Sequence, residues 1–382
     1  MLAAAAVVWA TLAPATVTAQ TSATITGEVR SADGAAIPGA EVTVASETLQ
    51  RQVATDADGG YRLPALPAGT YEVRASADGF APAVRSGFEL LLNSRVELDF
   101  ELEVGTVEDE VTVTGAPVLL DTQSSDTGGV VTPLQIATLP VNGRDYLDLM
   151  QLVPGVQVNR EKDKGSDEAV PVLGERAGNA VYLIDGMPNR DEFGSGAASQ
   201  FTQDSIQEFE VLTGGFKAEF GHGSGGVVNV VTKGGGNQWR GAVVGFVRDD
   251  GMDSSNSLEE MAETPSLSRD NFALNLGGPL VGDRAFIFAS AEQIDEEREL
   301  NFAFPPATPA VLRDFENSFD FPATTDEDRY FLKLTEQVGD RHRLDQQISV
   351  SDSQVNDFLP LSAAANLPST RKTSGVNGPC WG

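Results

Sequence analysis

The chain has 382 residues, is 41% hydrophobic, and carries 39 Gly and 20 Pro, which fits a folded, turn-rich protein of roughly two to three domains, mostly β. Its 56 acidic against 26 basic residues leave a formal charge of -30, which repels a phosphate backbone and excludes nucleic-acid binding as a main function. A single cysteine, Cys380, excludes an intrachain disulfide, a four-cysteine zinc site and a CxxC redox pair, and the two histidines, His222 and His342, stand in no HExxH pattern, so neither a metal centre nor a cofactor is expected.

Met1 to Gln20 is apolar and rich in small residues, and it ends in Val17-Thr18-Ala19, a small-x-small cleavage pattern. Residues 1–19 therefore read as a secretory signal peptide cut after Ala19, against the alternative of a buried apolar segment. The first charged residue is Glu28, so the basic start of such a peptide is missing and the reading places the true start codon upstream. No later run of 18 apolar residues occurs, so a membrane would be met as a β-barrel or at a surface.

Residues 24–103 tend to alternate in period two, with turns at Asp33-Gly34, Pro38-Gly39, Asp58-Gly59-Gly60 and Ala68-Gly69, the spacing of a small β-sandwich. GEVRSADGAAIPGAEVTV followed by TDADGGYRLPALPAGTYEVRASADGF resembles the carboxypeptidase regulatory-like domain, a prealbumin-like sandwich. The resemblance implies that Tyr61, Leu63, Leu66 and Tyr71 fill the core; for function it leaves spacer, docking module and sugar binder open. Asp56-Ala57-Asp58-Gly59 opens like a calcium loop, but Pro67 stands where the closing glutamate belongs, and a turn is the better reading.

Residues 104–120 form a linker containing Asp109, Glu110, Val111, Thr112, Val113 and Thr114, acidic and β-prone. Such a segment can add as a strand to another protein's sheet edge; the other reading is a last strand of the sandwich.

Residues 121–235 read as mixed α/β. Thr132-Pro133 starts a helix, Arg144 to Val153 predicts a second one stopped by Pro154-Gly155, and strands follow over Ala180 to Ile184, Ile206 to Leu212 and Val227 to Thr232. IATLPVNGRDYLDLMQLVPGVQ, ERAGNAVYLIDGMPNRD and DSIQEFEVLTGGFKAEFGHGSGGVVNVVTKGGGNQWRGAVVGFVRDD together resemble the plug and first barrel strand of a TonB-dependent outer-membrane receptor of the Oar-like class. In that setting Asp185-Gly186 turns the chain after a buried strand, and the cluster from Gly221 through Gly225 and Gly226 lets backbone pack tightly against a barrel wall. Arg144 and Arg176 are available to pair with carboxylates across the plug or the barrel interior, or to lie solvated at the surface. The GxGxxG match at Gly221 is followed by a strand-like run, which does not suit a nucleotide-binding turn.

Residues 236–382 read as the first strands of an outer-membrane β-barrel, with segments at Arg240 to Asp249, Asn271 to Pro279, Arg284 to Glu292, Arg329 to Gln337 and Arg343 to Ser351, a short turn over Leu276 to Asp283, and long acidic loops elsewhere. Five strands leave a barrel open, so the reading is a truncated barrel or a fragment.

The resemblance implies an outer-membrane receptor for active uptake, with sandwich and plug on the periplasmic side, the inner-membrane energy transducer TonB pulling on Asp109 to Thr114, and a small-molecule, oligosaccharide or peptide ligand. No catalytic residue is expected, since no nucleophile–base constellation occurs. The competing expectation is a cell-envelope binding protein that does not transport and whose sandwich binds carbohydrate.

Overall fold

The computed structural model describes residues 22–105, 111–112, 126–141, 144–157, 170–175, 179–190, 197–198, 201–217, 220, 223–252, 266–299, 322–338, 342–356, 372–373 and 380–381. The nine N-terminal strands are β1 (Ser22–Ser31), β2 (Glu41–Ala45), β3 (Gln50–Ala54), β4 (Gly60–Pro67), β5 (Gly69–Ser76), β6 (Ala83–Leu90), β7 (Arg95–Glu97), β8 (Phe100–Leu102) and β9 (Val111–Thr112). They form two facing sheets: β4-β1-β7 with β8 also on β1, and β3-β2-β5-β6-β9.

Period-two alternation turns Ala23, Ile25, Val29, Val42, Val44, Leu63, Leu66 and Val73 into one apolar core. Tyr61 and Tyr71 join it, and each phenol is satisfied there, Tyr61 donating to the Leu98 carbonyl at 2.6 Å and Tyr71 to the Pro67 carbonyl at 2.8 Å. Burial pushes both hydroxyls above their ordinary range, Tyr71 to about 12. Gly27 allows β1 to run against the chain after β7, since a Cβ there would lie 2.0 Å from the Leu98 carbonyl oxygen. The Asp56 carboxylate accepts from the backbone N–H of Asp58 at 3.0 Å and of Gly60 at 2.8 Å, which makes Asp56 to Gly60 an Asx-type turn.

The middle region builds β10 (Thr127–Val131), helix α1 (Pro133–Thr138), β11 (Val181–Ile184), β12 (Met187–Pro188), β13 (Ile206–Gly214) and β14 (Val227–Thr232), with sheet order β10-β13-β14-β11-β12. Thr132 and Gln135 close a capping box at the start of α1, as Thr132-Pro133 predicts. The second expected helix is corrected: Tyr146–Leu152 is a 3-10 helix capped by Asp145, and Arg144 sits outside it at φ 55°, a conformation no right-handed helix contains.

The last region is an antiparallel meander of β15 (Arg240–Asp249), β16 (Leu267–Val281), β17 (Ala285–Glu299), β18 (Pro322–Val338) and β19 (His342–Asn356). Four of these five strands are longer than the alternation predicts, and Leu276 to Val281 belongs to β16 rather than to a turn. The ladder runs through polar stretches such as Asp295 and Asp326, which face each other in register, because backbone pairing does not depend on side-chain polarity. One face carries the exposed apolar row Val243, Leu274, Tyr330 with Ile348 nearby, a lipid-facing surface. The opposite face carries Ala273, Glu292, Arg329 and Ser351 in register and turns toward the middle region. Phe286 and Phe288 share this inner face and are buried.

Candidate functional site

Among the described residues, the middle region meets the inner face of the β15–β19 wall through polar contacts at Arg144, Asp185 and Thr202 and through an aromatic patch. At Arg144, Nη2 donates to Asp204 Oδ2 at 2.7 Å within the same region. Its Nε lies 4.0 Å from Glu292 Oε1 of β17, and its guanidinium stacks over the Phe246 ring of β15 at 4.1 Å. The Glu292 side chain is fully buried, and its second oxygen lies 3.4 Å from Arg329 Nη1 of β18, which is itself held by Glu327 at 2.7 Å. A carboxylate is thus enclosed between two arginines, one from each side of the contact.

The second contact centres on Asp185, which turns the chain after β11 at φ 47° with Gly186 following at φ 81°. Asp185 Oδ1 accepts the Thr232 N–H at 3.0 Å, Oδ2 bonds the Thr232 hydroxyl, and Lys333 Nζ of β18 reaches Asp185 Oδ2 and Thr232 Oγ1 at 3.0 Å each. The Lys333 side chain is 6% exposed, so this ion pair is screened little by water. The third contact joins the Thr202 and Ser290 hydroxyls at 2.9 Å. Beside it, Phe201 meets Phe331 edge-on at 5.6 Å between centroids, and Phe288 is tilted against Phe331 at 6.2 Å.

Of the residues singled out from sequence, Arg144 and Asp185 come to this contact and Pro154, Gly155, Gly186, Gly225 and Gly226 do not. Gly155 follows the 3-10 helix at φ 89°. The glycines at 225 and 226 pack against Asn179, Val172 and the Leu212 carbonyl, neighbours within the middle region and not the wall expected for them. Arg176 and Gly221 lie outside the described residues, as do Asp109, Glu110, Val113 and Thr114. Val111 and Thr112 form β9, which runs parallel to β6 with Ala83 opposite Val111 and Val84 opposite Thr112. Val111 and Thr112 therefore lie at a sheet edge of the sandwich.

The sequence reading missed Glu292, Arg329 and Lys333. Their signal was parity: each is a charged residue on the same face of its strand as buried side chains, Glu292 with Phe288, and Arg329 and Lys333 with Phe331, and Lys333 stands between Leu332 and Leu334. Among the described residues the arrangement pairs buried charges across the contact. Among the described residues no group of three His, Cys, Asp or Glu side chains is placed to hold a metal ion.

Residues 24–103 match the carboxypeptidase regulatory-like domain, residues 121–228 the TonB-dependent receptor plug domain, and residues 231–377 an outer-membrane β-barrel domain. The chain is similar to the TonB-dependent transporter Oar of Myxococcus xanthus, 30% identical over 294 residues, which is 70% of this chain and 26% of that protein. It is 29% identical over 196 residues to the ferrienterobactin receptor of Escherichia coli strain K12, covering 47% of this chain and 24% of the relative. The chain thus spans about a quarter of the length of these relatives. A crystal structure of the ferric enterobactin receptor of Pseudomonas aeruginosa with enterobactin overlaps 60% of this chain and 33% of its own at 16% identity and a TM-score of 0.42.

Proposed function

We propose, for a chain that belongs to the TonB-dependent receptors of the outer membrane, that it works in energy-driven uptake, with residues 121–235 as a plug that moves and residues 109–114 as the segment on which the energy transducer TonB pulls. The observation that carries this reading is the seam between plug and wall, where Glu292 and Lys333 are buried in ion pairs that cross it. A purely structural contact is made more stably by apolar side chains, whereas buried pairs fix one arrangement and can be exchanged for another. The ligand is a small molecule, oligosaccharide or peptide, bound and passed on without chemical change.

The coupling role of Val111 to Thr114 rests on backbone. A partner strand pairs with N–H and C=O groups whatever the side chains, and proline removes the N–H. In cells expressing the receptor with a closed barrel, Val111→Pro or Val113→Pro should abolish uptake while ligand still binds at the cell surface, and the alanine variants should transport. Normal transport by the proline variants would leave the segment as a sandwich strand alone, and loss of surface binding would make it part of the fold.

A further inference from the structure

We infer that the sandwich is a clasp on the plug, holding strand β13 to the barrel rim until the sandwich side lets go. Glu208 and Glu210 are two apart on β13, so both point to one face while Phe209 and Val211 point into the plug core. That face meets the sandwich turn after β6. Glu208 Oε1 accepts the Leu92 N–H at 2.7 Å, and Glu210 Oε2 accepts from Asn93 Nδ2 at 2.8 Å. Nearby, Gln207 Nε2 donates to the Ala68 carbonyl at 3.1 Å. Glu208 is 1% exposed, and Leu92 is 2% exposed although it lies outside the apolar core of the sandwich, so the contact closes off water on both sides.

Two carboxylates on the buried face of a strand are costly unless they receive donors, and here the donors come from another domain. The second hold is on the wall. Glu47, in the turn between β2 and β3, pairs with Arg240 at the start of β15, and its backbone carbonyl accepts from Asn237 Nδ2 at 2.6 Å. The sandwich thus bridges strand β13 of the plug and the end of the wall where β16 turns tightly into β17. β9 lies on the same sandwich. Resting on the coupling reading above, a pull on residues 109–114 loads the sandwich contact as well as the plug, and β13 is freed when Leu92 and Asn93 leave Glu208 and Glu210.

The contact itself is tested without transducer or ligand, by amide hydrogen exchange on the full chain in detergent. Glu208→Ala should speed exchange over residues 91–94 about tenfold, while β1, β2 and β5 keep their protection. Glu208→Gln keeps an acceptor oxygen and should stay near the parent. Asn93 sits at φ 55°, so Asn93→Gly removes the amide without backbone strain and should act in the same direction from the sandwich side. Unchanged exchange over 91–94 in both Glu208→Ala and Asn93→Gly would overturn the clasp, as would acceleration spread evenly through the sandwich. Either result leaves the coupling reading standing, and failure of the proline variants leaves the clasp standing.

Discussion

The sandwich and the plug are both β-rich and lie side by side, yet they are held by different forces. The sandwich closes on an apolar cluster drawn entirely from its own residues, from Ala23 to Leu102. The plug core reaches outside itself to Phe288 and Phe331 of the wall, and its charged residues Arg144 and Asp185 find partners there. A self-contained apolar core favours one state regardless of surroundings. A core completed by a neighbour, with ion pairs across the join, makes the fold of one part conditional on the position of the other.

The sharpest way to break this comparison is to separate the parts. Residues 22–103 expressed alone should unfold cooperatively with a β-type circular dichroism spectrum, because every core contact is local to them. Residues 126–235 alone should lack a cooperative transition, having lost the aromatic patch and the basic partner of Asp185. A cooperative plug fragment would show that the seam is a surface contact and no part of the plug core.

A smaller effect is expected at the seam itself. Glu292→Ala leaves Arg144 and Arg329 facing each other in a buried site, so it should cost about 3–5 kcal/mol in the stability of the seated plug, read from denaturant unfolding of the full chain. Glu292→Gln retains one acceptor oxygen, for one of the two guanidinium groups, and should cost less than the alanine variant. Equal losses would mean that packing, and not charge, keeps the plug in place.

What was legible in the sequence divides along the same line. The sandwich could be read almost whole, because its turns are written in Gly, Pro and Asp and its core largely in period-two alternation; Tyr61, Leu63, Leu66 and Tyr71 are all in the core. The start of α1 was legible from Thr132-Pro133, a local capping signal. The conformation of Arg144 was not, because a left-handed arginine is imposed by the ion pairs and the Asp145 cap around it. The outer ends of β17 and β18 were hidden as well, since both faces turn polar there and alternation disappears while pairing continues from Asp295 to Asp326. The partners of the plug charges lie far along the chain, Lys333 being 148 residues from Asp185, and no local pattern reports such a pairing.

The smallest expected effect is confined to one turn and is read through pH. Burial pushes the Glu208 carboxyl up to about 8 from an ordinary value near 4.5. Glu89 and Glu210 raise it further by repulsion, and the Leu92 N–H draws it back. A carboxyl whose pKa is raised in the docked state favours docking in its neutral form. Its contribution is therefore fully present below about pH 4.5 and fades as pH rises through about 8. Between pH 5 and pH 8 the sandwich should come to hold the plug less firmly, and a thiol placed at Leu92→Cys, buried in the contact, should react faster with a maleimide than the intrinsic thiolate titration of a free cysteine explains. Adding Glu208→Gln to that background removes the titrating group but keeps the acceptor, so the excess pH dependence should disappear. If it persists, Glu208 is not the group whose titration loosens the contact.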